Sequence, residues 1–152
     1  MGCYNSIVID LPASVVWSRV NNFHDMSWSK NVISHLSIIG SKLPPDPGAR
    51  RVLNEVFFET LLSYDNEEMV FMYSLDDGPD VLSVKNIEGF VGSLQVFPIA
   101  VDNTCLVLWT STWSTVKFGD VAEFCNPIYH ALLEDMKATL ESEIDVKLKI
   151  AS

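Results

Sequence analysis

Apolar and polar residues alternate at the start of the chain, with Ile7, Ile9 and Leu11 on one face and Ser6 and Asp10 on the other, the period of two of a half-buried β-strand. Pro12 suits the first turn of a helix, because it lacks the N–H that would go unpaired there. Val15, Val16, Arg19, Val20 and Phe23 continue at helical spacing around Trp17, and residues 24–29 read as a second short helix. Residues 32–39 form the next apolar strand, closed by Gly40, while Pro44, Pro45 and Pro47 keep the following loop out of any ladder. Three strands are predicted at about 49–53, 56–64 and 69–75, joined by turn residues at Asn54-Glu55 and Asp65-Asn66-Glu67. Two longer ones follow at about 84–97 and 104–115, separated by Asp102-Asn103. From Asp120 onward Val121, Phe124, Cys125, Ile128, Leu132, Met136, Leu140 and Ile144 recur every three or four residues, the stripe of a helix long enough to cross a whole sheet. Asn126-Pro127 interrupts it. Asn is a good N-cap and Pro a good first-turn residue, so the long helix is expected to restart at Pro127.

The order of elements predicts an α+β layout, with an antiparallel sheet of about seven strands that buries one face under the C-terminal helix. A single helix about 10–12 Å wide does not fill the concave side of such a sheet, so an internal space is expected.

Composition narrows the partners. The 152 residues carry 10 Lys+Arg against 20 Asp+Glu, a formal net charge of −10, with 48% hydrophobic residues. The chain is too short for two ordinary domains and too apolar for disorder, so one domain over residues 1–152 is expected. The acidic excess repels phosphate backbones and anionic headgroups, which argues against nucleic acid. No run approaches the roughly 20 apolar residues that span a bilayer. No basic stretch followed by an apolar core marks a secretory signal, so a cytoplasmic location is expected. Met1-Gly2-Cys3-Tyr4-Asn5-Ser6 formally fits a myristoylation pattern, but the alternation of the first strand begins within a few residues of Gly2.

Cys3, Cys105 and Cys125 share no C-x-x-C spacing and read as reduced packing thiols. His24, His35 and His130 are too scattered for a metal site, and no phosphate-cradling glycine motif or G-x-S-x-G is present. Neither metal nor cofactor is expected.

Leu11-Pro12-Ala13-Ser14-Val15-Val16-Trp17 resembles the strand-to-helix entry of the polyketide cyclase/START-like (SRPBCC, Bet v 1-like) superfamily, with Phe23 where its following aromatic sits. Gly48-Ala49-Arg50-Arg51 resembles its "GxxR" strand start, Phe58-Glu59-Thr60-Leu61 its "xExL" strand, and Tyr73 with Asp77-Gly78-Pro79 the next strand and turn. Val107-Leu108-Trp109-Thr110-Ser111-Thr112-Trp113 resembles the last strand of bacterial cyclase/dehydrase-like members. The resemblance runs from about Ile7 to Glu141. It implies a helix-grip fold around a hydrophobic cavity, in a family that includes lipid carriers, hormone receptors, and aromatases or cyclases. Fold does not choose among these.

Arg51 and Glu59 are the sharpest candidates. If residues 54–56 make a three-residue hairpin loop, Arg51 faces Glu59 across the ladder. Leu53, Phe57 and Leu61 share their parity, so this face is expected to be buried, where a charged pair is costly. A one-residue bulge would instead turn Arg51 outward and substitute Arg50. In the abscisic-acid receptors and lachrymatory-factor synthases that this segment resembles, an Arg and a Glu on the corresponding strands reach into the pocket. A carboxylate in an apolar cavity can exchange protons near neutrality while a guanidinium holds an anion or oxyanion.

Phe57, Leu61, Trp28, Trp109 and Ser111 complete the expected lining. On the last strand Cys105, Val107, Trp109, Ser111 and Trp113 share one face, and Ser111 is a sparse polar point among tryptophans. The resemblance adds Tyr73 to the lining and places gate candidates at the Pro-rich loop 43–47 and the Asp77-Gly78-Pro79 turn. The expected function is binding of a small hydrophobic molecule, for transport or sensing, with Arg51 holding a carboxylate or carbonyl of that ligand. The alternative is a cofactor-free lyase, isomerase or cyclase, with Glu59 as proton carrier and Arg51 as electrophilic stabiliser. A protein partner stays open.

Overall fold

The opening alternation becomes β1 (Gly2–Ile9) and the Pro12 turn opens α1 (Ala13–Val20) in the computed structural model, which describes residues 1–151. A 3₁₀ turn at Ser27–Ser29 leads to β2 (Leu36–Ile39), β3 (Arg50–Leu53), β4 (Phe57–Asp65) and β5 (Val70–Asp77). A second 3₁₀ turn, Asp80–Leu82, precedes β6 (Ile87–Glu88), β7 (Val91–Ile99), β8 (Thr104–Thr112), β9 (Thr115–Val116) and the long helix α2 (Val121–Ala151). Seven strands form one antiparallel sheet in the order β1-β8-β7-β5-β4-β3-β2, and β6 pairs with β9 separately. This is the α+β helix-grip layout, with α2 on the inner side of the sheet. Gly2 pairs with Thr112 and Cys3 is buried, so the N-terminal residues belong to the sheet.

Three expectations are corrected. The strand placed at 32–39 starts only at Leu36. Asn54 is the reason: its Oδ1 accepts from Ser34 N, Ser34 Oγ and His35 N, and its Nδ2 donates to Val32 O, holding residues 32–35 as a loop. The strand placed at 84–97 is divided, because Asn86 Nδ2 donates to Val81 O and Phe118 O and ties the first part to the segment before α2. The long helix does not restart at Pro127 but runs unbroken from Val121. Asp120 caps it, its Oδ1 accepting from Glu123 N and its carbonyl from Phe124 N, while Asn126 spends its Oδ1 on Asn5. Glu123 and Pro127 are exposed, so the carbonyl that loses its i+4 partner to Pro127 faces water.

Side chains tie α2 down along its length. Asn126 holds Asn5, Asp135 accepts from Asn31 N and Nδ2, Lys137 Nζ donates to Val8 O, Glu141 accepts from Asp10 N, and Glu143 pairs with Arg19. Between these ties Cys125, Tyr129, Leu132, Met136 and Leu140 turn inward against the sheet.

Asn54 sits at φ 51°, a left-handed conformation that glycine also adopts freely. Asn54→Gly therefore keeps the turn and removes only the side-chain bonds, and is expected to lower stability by about 1–3 kcal/mol in urea unfolding.

Candidate functional site

Leu53 and Phe57 close β3 and β4 through a loop of residues 54–56, fixing a register in which Arg51 lies opposite Glu59. Arg50 is exposed and Arg51 is 2% exposed, so the arginine that enters is Arg51. The irregularities lie on the other side of β4, one between Leu61 and Ser63 and one where Phe58 faces Asp77 and Glu59 faces Leu75, leaving Asp76 as an extra residue. Arg51 Nε and Nη2 each approach Glu59 Oε1 at 2.7 Å, and Nη1 donates to Phe23 O at 2.9 Å. The guanidinium lies 3.9 Å from the centre of the Phe23 ring, an arrangement favourable to a cation. Both Arg51 contacts fall on Oε1 of Glu59, and neither on Oε2.

These two residues stand in the wall of an inner cavity of about 50 Å³. An engineered apolar cavity that takes up benzene measures about 150 Å³, so the space is narrow. Rings fill most of the concave side. Trp28 and Trp109 lie 6.1 Å apart, Trp109 and Tyr129 5.3 Å apart, and Phe23 meets Phe71 edge-on at 5.9 Å. Trp109 Nε1 donates to the Tyr73 hydroxyl at 2.9 Å, and that hydroxyl is 3.3 Å from the hydroxyl of Tyr129. Tyr73 reaches this position because Gly92 on β7 has no side chain: a Cβ there would overlap the ring and its hydroxyl. A wider cleft of about 340 Å³ opens at the surface beside β2, lined by His24, Asp25, Lys30 and His35 among others, and does not include the buried pair.

The cavity brings together Arg51, Glu59, Phe57, Tyr73 and Trp109 of the predicted set. Leu61, Trp28 and Ser111 are buried but do not line it. Leu61 pairs with Tyr73 and with the Gly48–Ala49 backbone, Trp28 stands behind Trp109, and Ser111 lies further along β8. The Ser111 hydroxyl sits beside Tyr129 and Cys3 without a hydrogen bond of good geometry. The Pro-rich loop at 43–47 contributes nothing to the lining, because it joins the end of β3 remote from the hairpin loop. The Asp77–Pro79 turn leads into Leu82, which does line the cavity. Half-buried Phe57, Leu75 and Ile128 form its accessible rim. Tyr129 was not among the predicted residues. Its signal was the spacing of four from Cys125, on the same inward stripe.

Burial raises the Glu59 carboxyl above its ordinary range, with Arg51 drawing it partly back and Asp76 adding to the rise. Burial likewise holds both tyrosines protonated well above the usual phenol range. The Cys125 thiol is pushed up to about 12 by burial and by its neighbour Cys3, which favours its protonated form. His130 is on the exposed face of α2, 3.8 Å from Glu134. Among the described residues no group of three or more His, Cys, Asp or Glu could hold a metal ion, and no helix is long and apolar enough to cross a membrane.

A curved sheet gripping one long helix, with a charged pair enclosed between them, defines a class of small cavity proteins. The chain belongs to the polyketide cyclase / dehydrase and lipid transport family, whose model matches residues 3–141. It is similar to a solved structure from Nitrosospira multiformis, at 39% identity over 95% of this chain and 99% of the other, with a TM-score of 0.90. A protein from Thermobifida fusca (22% identity, 91% and 92% covered, TM-score 0.76) and an uncharacterised one from Bacillus thuringiensis (17%, 92% and 98%, 0.72) share the fold. No curated protein matches the sequence.

Two outcomes follow from the buried pair. Arg51→Met leaves Glu59 without its partner and is expected to lower stability by about 3–5 kcal/mol, most of which returns in Arg51→Met/Glu59→Leu. Urea unfolding of both variants checks this. Separately, a carboxyl whose pKa is raised on folding binds its proton more tightly in the folded chain. Its contribution to stability therefore grows as pH falls from above the folded value and levels off below the unfolded value of 4.5. Stability of the wild type relative to Glu59→Gln is expected to rise in that direction, measured by urea unfolding across the range.

Proposed function

We propose that the chain, acting as a single cytoplasmic domain, binds a compact hydrophobic molecule without net charge in the cavity beside Arg51 and Glu59, and carries or senses it. The observation that carries this reading is the ion pair walled in by apolar side chains. Burying two charges is costly, and folding alone would be served as well by apolar residues of similar volume. With Arg51 already neutralised by Glu59 and bonded to Phe23 O, the cavity has no unbalanced charge to offer an anion. Arg51 thereby orients Glu59 rather than gripping a carboxylate. At about 50 Å³ the cavity admits only a few heavy atoms, so a larger guest, a lipid chain included, enters by displacing Phe57, Leu75 and Ile128 at the rim. The family description, which includes lipid transport, supports a hydrophobic guest.

One observation favours a second reading as a cofactor-free lyase, isomerase or cyclase. Arg51 contacts only Oε1 of Glu59, and the carboxyl is raised by burial, which suits a group that takes and returns a proton at Oε2. In that reading Glu59 is the proton carrier and Arg51 stabilises the charge that develops.

Calorimetry in two buffers of different ionisation enthalpy tests the neutral cavity. Butanone is expected to bind without proton exchange, and butyrate with uptake of about one proton per anion. Butyrate binding without proton uptake would overturn the reading, because the cavity would then carry its own positive charge.

A further inference from the structure

We propose that the Tyr73–Tyr129 hydroxyl pair is the point at which the cavity grips its ligand, and that the ligand class is an uncharged molecule presenting a carbonyl oxygen. The inference rests on the cavity-binding reading and adds the group that is recognised.

The hydroxyl cluster holds more protons than it has acceptors for. Trp109 N–H, Tyr73 O–H and Tyr129 O–H are three donors joined by two contacts, Trp109 to Tyr73 and Tyr73 to Tyr129. Whichever tyrosine donates to the other, one proton is left over, because an indole N–H accepts nothing. Lengthening the chain does not remove the surplus. The Ser111 hydroxyl beside Tyr129, and then the Cys3 and Cys125 thiols, each add one donor and at most one link. Ser111 is 1% exposed and has no bond of good geometry among the described residues, so it does not end the chain as a pure acceptor. Glu59 would be such an acceptor, but it makes no hydrogen bond to either tyrosine.

An unmatched donor in an apolar site costs free energy, and both tyrosines face the cavity, so the missing acceptor is a group that the cavity contents supply. The donors are neutral hydroxyls and the only cation in the lining is already paired with Glu59. A neutral carbonyl therefore matches the site better than a carboxylate, whose charge would be left without a counter-ion. Glu59 Oε2, which takes neither Arg51 contact, gives a second point for a ligand that also carries a donor.

Butanone and 2-methylbut-1-ene have the same heavy-atom skeleton and differ by C=O against C=CH₂. Both are titrated into the full chain and into Tyr73→Phe and Tyr129→Phe, with the Trp109 indole N–H and the lining methyl groups followed by NMR. At least one variant is expected to shift the ketone-to-alkene affinity ratio by about five- to tenfold toward the alkene. A ratio unchanged in both variants overturns the proposal and leaves the cavity reading standing. If neither probe shifts any lining resonance, the cavity reading falls and the proposal with it. The wild type alone gives a further measurement. The C=O stretch of bound carbonyl-labelled butanone is expected to lie below its value in hexane, and a hexane-like stretch overturns the proposal even if the variants do not fold.

Discussion

The guanidinium of Arg51 is the constraint around which the inner side of this protein is arranged. A charge 2% exposed must find its compensation inside the fold, and it finds three contacts on two other segments of the chain. Glu59 supplies the counter-charge from β4, the backbone after α1 supplies the Phe23 carbonyl, and the Phe23 ring covers the flat face. All three can be met only if β3 and β4 hold their register and the segment after α1 folds across them. The same requirement fixes one wall of the cavity, so site and architecture share a cause.

Much of this was legible in the sequence, and the parts that were not have a common reason. The pairing of Arg51 with Glu59 followed from local rules, a hairpin of known loop length and a run of apolar residues of equal parity. The family resemblance placed the helix and sheet correctly. The misread elements all depend on side chains that bond across long separations. Asn54 turns residues 32–35 into a loop from twenty residues away, and Asn86 reaches Phe118 O over thirty-two. Asn126 resembled a helix cap, but its partner is Asn5. Periodicity cannot report such choices, because it registers which face a residue takes and not which distant group it meets.

The cavity illustrates the same limit. That space would remain beneath the helix was predictable from the widths of helix and sheet. Its volume was not, because it is the small remainder after Trp28, Trp109, Tyr73 and Tyr129 have been placed. Tyr129 escaped notice for a related reason. A tyrosine on an apolar helical stripe is ordinarily core, and only its hydroxyl meeting that of Tyr73 gives it chemistry.

The polar ties along α2 have a kinetic consequence. With Asn126, Lys137 and Glu141 fastened to β1 and the residue after it, Asp135 to Asn31 and Glu143 to Arg19, lifting the helix would break contacts at several places together. The opposite rim, Phe57 and Leu75, is half-buried and held by packing alone, so it yields to rotation about single bonds. If the cavity takes a guest as proposed, passage past the hairpin side runs at the pace of rotamer exchange, and dwell time inside reflects the grip of the interior more than the slowness of any door.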